Sequence, residues 1–224
     1  MLSNFLEYLS DNYPGEEDQM PSLSELSKAL GISLSTLREQ LEVARVLGFI
    51  EIKPRAGMRT LPYNFSNTVK LSTCYGIKRT PSLFKQYTSL RNHLELSYWY
   101  EAARLIDNTD ISEMYALVST AKKKLLCIPI ELPACEHRRL HMLVYSKLQN
   151  PFVIGLLDTY WDLFEQFGYL QTPEIDYLEK VWLYHGKIVD AVANNDLALG
   201  YNLMREHMDL FNQRTTNSNA QSFE

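Results

Sequence analysis

The sequence predicts a mainly α protein in two parts. The N-terminal part is a winged helix-turn-helix with a small β-hairpin, and the rest is an all-α antiparallel helical bundle. Three observations carry this prediction. Two short amphipathic segments joined at Gly31 precede two apolar runs separated by a Pro–Gly turn. From Ser82 onward the apolar residues recur at helical spacing. Four of the five histidines fall inside the apolar stripes of those later helices.

Taken in order, Leu2 to Leu9 reads as a short amphipathic helix, followed by a polar, acidic loop from Ser10 to Gln19. Ser22 with Glu25 three residues on is a capping box that starts a helix, and Gly31 stops it. Ser33 caps the next helix, whose apolar residues are Leu37, Leu41, Ala44 and Leu47, and Gly48 ends it. Phe49–Ile52 and Met58–Leu61 are the two strands. Between them Pro54 fixes φ and Gly57 supplies positive φ for the turn. Helix, tight turn, helix and hairpin in this order make a winged helix-turn-helix.

Within this part, Ile32-Ser33, Leu37-Arg38-Glu39-Gln40-Leu41, Leu47-Gly48-Phe49-Ile50 and Arg55-Ala56-Gly57 resemble the GntR family of bacterial repressors over about residues 20–61. The resemblance implies DNA binding. One departure is Leu34, where the family usually carries Arg after the serine of the turn. Between Ser33 and Thr60 there are five basic residues (Arg38, Arg45, Lys53, Arg55, Arg59) against three acids (Glu39, Glu42, Glu51), a surplus of two positive charges in a protein of net charge −5. Base readout needs side chains at the start of the recognition helix, and phosphate contacts need basic groups around it. The candidates are Ser33, Ser35, Thr36, Arg38 and Arg45 on the helix, with Arg55, Gly57 and Arg59 on the wing. The bland alternative is a solvated charged face on a small structural helix pair.

Residues 1–62 therefore form the expected DNA-binding domain. Residues 63–80 lack a sustained period and read as a linker, with room for a short helix around Asn67–Tyr75. Residues 81–215 form the helical domain, and 216–224 a polar tail. The first long helix carries Leu83, Tyr87, Leu90, Leu94 and Tyr98 and reaches about Ile106. Asp110 caps the next, Ile111 to about Leu125. Pro129 and Pro133 break the chain before a helix from Cys135 to Leu148. Asn150-Pro151 separates this from a helix over Phe152–Phe167. Thr172-Pro173 opens another that reaches Asn194, and Asp196 caps the last, to about Arg214.

His137 and His141 lie four apart, so on a helix they share one face. That face is the apolar stripe of Leu140, Val144 and Leu148. His185 sits in the stripe Val181, Trp182, Ile188, Val189, Val192. His207 sits in the stripe Leu197, Gly200, Tyr201, Met204, Met208, Phe211. Each is 11 residues from Asp196, one before and one after. In an antiparallel pair, equal distance from the turn means equal height, about 16 Å at 1.5 Å per residue. Four imidazoles then converge, which suits Zn²⁺, Ni²⁺, Cu²⁺ or Fe²⁺ better than Ca²⁺ or Mg²⁺. The alternative for each is a core histidine satisfied by a hydrogen bond. His93 lies off the stripe of its helix and reads as a surface residue.

Residues 80–214 resemble the all-helical FCD effector domain found behind many GntR-type winged helices. The resemblance rests on His137-Arg138-Arg139-Leu140-His141 with Asn150-Pro151, on His185 ahead of Asn195-Asp196, on Met204 ahead of His207, and on Arg91-Asn92-His93-Leu94-Glu95. It implies a divalent metal, zinc first and nickel second, held at His137, His141, His185 and His207. It also implies a small carboxylate effector near Arg91 and Asn150, and a homodimer. His137 stands where the family has Asp, which makes the site one charge less negative; Glu136 is the other candidate for that position. A buried Arg91 needs an anionic partner, either an effector carboxylate or a core acid.

The remaining features set limits. No apolar run reaches roughly 18 residues, so no membrane span is expected, and the N-terminus lacks the pattern of a signal peptide. Cys74, Cys127 and Cys135 are scattered, odd in number and without a Cys-x-x-Cys pair, which suits a cytoplasmic protein and provides no thiolate metal site. The expected function is a ligand-responsive transcription regulator, not an enzyme. The alternatives are an all-helical metalloenzyme with an accessory winged domain, against which stands the lack of a His-Glu-x-x-His motif, and a regulator whose metal is purely structural.

Overall fold

The structure, a computed structural model, describes residues 2–13, 19–54, 57–167 and 174–221, with side chains described as far as Leu210. The chain divides into two compact units, Met1–Ser72 and Thr73–Glu224.

The first unit contains helices α1 (Asn4–Asn12), α2 (Leu23–Leu30) and α3 (Leu34–Val46) and an antiparallel hairpin of β1 (Ile50–Lys53) and β2 (Gly57–Thr60). Its helix ends follow from local chemistry. Ser22 accepts from the Glu25 N–H while Glu25 accepts from the Ser22 N–H, so two of the orphan donors of a helix start are satisfied reciprocally. Gly31 ends α2 in the left-handed region, with φ +64°. Ser33 accepts from the Thr36 N–H at 3.1 Å and starts α3. Phe5, Leu26, Leu37, Leu41, Ala44 and Ile50 close the core of this unit. The acidic loop is shorter than expected: α1 continues to Asn12, and the Met20 N–H bonds the Met58 carbonyl, with Gln19 bridged to Arg59. The segment before α2 thus pairs with the wing, a long-range contact that local patterning does not reveal.

The stretch expected as a linker, 63–80, is mostly helix. α4 spans Phe65–Arg79, and the boundary between the two units falls inside it. Asn64 Oδ1 accepts from the Ser66 N–H and hydroxyl and supplies the start. The weak period of this stretch conceals a helix because few of its residues have to be buried.

The second unit continues with α5 (Leu83–Ala103), α6 (Asn108–Leu125), α7 (Ala134–Tyr145), α8 (Pro151–Phe167), α9 (Ile175–Ala193) and α10 (Leu197–Gln221). α9 packs on α6 and α10; α7 packs on α5, α6 and α8; α5 also packs on α8 and α10. Trp99, Met114, Tyr145, Leu157, Trp182 and Met204 are among its fully enclosed side chains. Several expectations shift. The cap of α6 is Asp107, with Asp110 completing a capping box from the third position. α10 runs to Gln221, through most of the expected polar tail, because no Gly or Pro follows Gly200 to stop it. Thr172 and Pro173, expected to open α9, lie outside the described residues. Asn195, with φ +56°, makes the α9–α10 turn, and Asp196 accepts from the Leu199 N–H at 3.0 Å.

The inward face of α5 is the largest departure. Leu83 and Leu90 are exposed, and the buried line is Thr88, Arg91, Glu95, Trp99 and Ala102. The apolar stripe is out of phase because the helix buries a self-neutralising Arg–Glu pair, which apolar periodicity does not count. Further along, α5 meets α10 closely: a Cβ on Gly200 would lie 2.5 Å from Cζ2 of Trp99. Trp99 is enclosed and donates from Nε1 to the Leu197 carbonyl at 2.8 Å. Gly200→Ala is therefore expected to destabilise the fold by about 1–3 kcal/mol through overpacking, read as a lower denaturant midpoint with an unchanged m-value.

Candidate functional site

Three helices deliver the histidines. α7 carries His137 and His141, α9 carries His185 and α10 carries His207. One nitrogen from each lies within 4.8 Å of those from the other three. The height-matched pair is close, with the His185 and His207 rings 4.4 Å apart. His137 stands 5.1 Å from His141 and 4.9 Å from His185, ring centre to ring centre. Trp161 at 4.8 Å and Trp182 at 6.0 Å wall the His137 ring. Glu136 turns away and pairs with Lys124 at 2.7 Å, so His137 is the residue of this pair that joins the cluster.

The donor chemistry fits a cation. Burial, reinforced by the other histidines or Arg91, pushes all four imidazoles well below their ordinary range. They are neutral at pH 7, the form that offers a lone pair. His137 as a residue is half-buried, yet its Nε2 is shut from solvent and makes no hydrogen bond; His185 Nδ1 and His207 Nδ1 are in the same condition. Core histidines held only by hydrogen bonds would have partners at these atoms. His141 Nε2 and His185 Nε2 lie 3.1 Å apart. Two nitrogens on one tetrahedral zinc, at about 2.0–2.1 Å each, are separated by about 3.3 Å.

Around His141 two neighbours compete. Glu95 Oε2 lies 3.2 Å from Nδ1, and Arg91 Nη2 lies 2.8 Å from the same atom. With Glu95 accepting, Nδ1 carries the proton and Nε2 is left bare for a metal. With Arg91 donating, the proton moves to Nε2 and points at His185. Burial drives the Glu95 carboxyl up, against the pull of Arg91 and His207. Arg91 Nε is 2.9 Å from Glu95 Oε1, close enough for an ion pair but not aligned as a hydrogen bond. Its guanidinium also lies 4.9 Å from the Tyr160 ring and 5.2 Å from Trp161. Arg91 is thus placed at the site and already has a core acid beside it. Glu95 was missed in the sequence, although its position four residues after Arg91 puts both on one helical face.

Asn150 stands at the start of α8. Its Oδ1 accepts from the Phe152 and Val153 N–H groups, which makes it the cap of α8, and its amide reaches the Tyr98 hydroxyl at 3.5 Å. The capping bonds use its oxygen, while its amide nitrogen, the donor that a carboxylate would need, faces the Tyr98 hydroxyl. His93 is exposed, with Nδ1 on the Ser89 carbonyl.

On the first unit, the hydroxyls of Ser33, Ser35 and Thr36 form a bonded group at the start of α3, with Ser33 Oγ 2.8 Å from Ser35 and 2.9 Å from Thr36. Arg38 is exposed and, among the described residues, makes no ion pair. Arg45 is bound through two nitrogens by Glu42, at 2.8 and 2.6 Å. Arg59 and Lys53 share Glu51, at 2.8 and 3.1 Å. The surplus of positive charge on this face is therefore less available than a count suggests. Gly57 has φ +85°, and a Cβ there would meet the Gln19 side chain at 2.7 Å. Arg55 lies outside the described residues. Among the described residues, no helix is long and apolar enough to cross a membrane.

Comparison with known proteins agrees with this architecture. Over nearly its full length the chain is similar to Streptococcus agalactiae GntR, with 15% identity and TM-score 0.64 over 94% of this chain and 96% of that one. It is also similar to E. coli McbR/YncC, with 16% identity and TM-score 0.51 over all of both chains. At these identities the likeness is one of fold. Comparison with curated protein sequences gives no match. The FCD domain model matches residues 86–210, more than half of the chain, and all four histidines of the cluster lie within that match. The chain belongs to the FCD family, with a winged helix-turn-helix ahead of the FCD domain.

Proposed function

We propose that this protein is a DNA-binding transcription regulator whose helical unit holds a divalent metal and responds to a small carboxylate. The observation that carries the reading is a cluster of four inward imidazoles, three of them with orphaned nitrogens, in an FCD domain that follows a winged helix-turn-helix. His137, His141, His185 and His207 would hold the metal. Four nitrogen donors and no carboxylate favour zinc, with nickel second. When bound, the metal supplies a fixed positive centre that attracts a carboxylate. Glu95 holds the His141 ring by its Nδ1, and Arg91 adds a second cation beside it. Trp161 and Trp182 limit water on the His137 side.

In the first unit, Ser33, Ser35, Thr36 and Arg38 face a major groove, while Arg45, Arg55, Gly57 and Arg59 serve the flanking phosphates. A homodimer would set two recognition helices on a palindromic operator. A carboxylate changes DNA affinity to the extent that it binds two states of the protein unequally. A purely structural metal differs in one respect: its removal would lower the melting temperature and leave DNA affinity unchanged.

The test is a mobility-shift assay of the metal-loaded full chain against a pool of palindromic duplexes. Retardation at low salt that weakens steeply as salt rises is expected, because phosphate contacts release counterions. No retardation at low salt, with metal present, would overturn the reading.

A further inference from the structure

The opening of α3 has an unusual chemistry for a helix start that reads DNA. Ser33 to Leu37 carry no charge. The three hydroxyls there are bonded to one another, and Ser33 is further committed to the cap. Leu34 occupies the first helical position and is 40% exposed, whereas Leu37 and Leu41 on the same helix are buried. Arg38 follows Leu34 by four residues, so the two side chains lie along one edge. Arg38 is also the cation of this helix that, among the described residues, no acid holds, since Glu42 takes Arg45.

We infer that Leu34 reads the methyl group of a thymine and that Arg38, one turn on, reads a guanine of the same half-site. This rests on the proposal that the first unit binds duplex DNA. The N-terminal residues of a recognition helix contact base edges. In the major groove the one apolar feature among those edges is the thymine C5-methyl. A polar edge set against Leu34 would lose its water and gain no hydrogen bond. A methyl group loses nothing there and gains burial. Arg38 has the donor fork that matches guanine O6 and N7. The specificity at the first contact is therefore for a methyl group, not for a hydrogen-bonding pattern.

The experiment begins with selection of a binding site from a random duplex pool by the full chain. Each thymine of the selected half-site is then replaced by deoxyuridine, which removes the methyl alone. Affinities are measured at fixed salt for the wild type and for Leu34→Ala, whose exposed position leaves the fold intact; unchanged circular dichroism and Tm check this. One thymine per half-site is expected to show a loss of about fourfold on removal of its methyl, and Leu34→Ala is expected to abolish that sensitivity. Leu34→Arg is expected to move the preference at that position to guanine. If uracil is tolerated at every position, or if the sensitivity survives in Leu34→Ala, the assignment to Leu34 is overturned while DNA binding stands. If no duplex is selected or retarded at all, DNA binding itself fails and the assignment falls with it.

Discussion

His141→Ala is expected to yield a protein without metal, against about one equivalent of zinc or nickel in the wild type purified without chelator or affinity tag. His141 is buried, and its Nε2 lies 3.1 Å from His185 Nε2, at the centre of the cluster. Removal of one of four nitrogen donors leaves three neutral imidazoles. The stability readout follows from mass action. Metal held at a free concentration of about 100 times Kd stabilises the folded state by about 2.7 kcal/mol. For a chain of this size that corresponds to a rise in Tm of roughly 5–10 °C. Chelation should remove that increment from the wild type and leave His141→Ala unaffected. His93→Ala, at an exposed position, is the control and should retain the metal. Equal metal content in wild type and His141→Ala would show that the cluster is not the binding site.

Arg91→Ala is expected to cost about 3–5 kcal/mol, the penalty for removing one partner from a buried ion pair. Arg91 is 6% exposed and Glu95 0%, with 2.9 Å between them. Without Arg91 the carboxyl of Glu95 stays in the core with no cation, and the Tyr160 and Trp161 rings lose the guanidinium stacked near them. The double variant Arg91→Met/Glu95→Leu removes both charges and should recover most of the loss, since apolar replacement of a whole buried pair is often close to neutral. Equilibrium unfolding in denaturant measures all three proteins. A loss below about 0.5 kcal/mol in Arg91→Ala, in the range of ordinary surface substitutions, would show that the pair does not hold the fold. The two sites touch through His141 Nδ1, so their effects should not add. Metal content in the Glu95→Leu background then tells whether Glu95 also orients His141.

The convergence of the histidines was legible because it rests on short-range geometry. The spacing of His137 and His141 and the equal distances of His185 and His207 from Asp196 place them on inward faces, and the structure brings the rings within reach. The starts of α2 and α3 were legible for the same reason: serine caps and glycine stops are local. The face of α5 was not. Apolar spacing pointed to Leu83 and Leu90, but the side turned inward carries Arg91 and Glu95, because each neutralises the other and both adjoin His141. Asn150 reads as a site residue in the sequence, and the structure gives it a local role as well, the cap of α8.

By itself, then, the sequence determined the order of the elements apart from α4, the approximate ends of most other helices and the four imidazoles that turn inward. These follow from periodicity, capping and chain reach, all of which act within a few turns of helix. Only the tertiary structure decided which charges are bound across elements, as Arg59 is by Glu51, and that the Arg91–Glu95 pair lies buried. It also decided that Glu136 leaves the site to His137 by pairing with Lys124 across two helices. The physical reason is that an ion pair depends on distance and burial, and between groups on different elements neither is set until those elements pack.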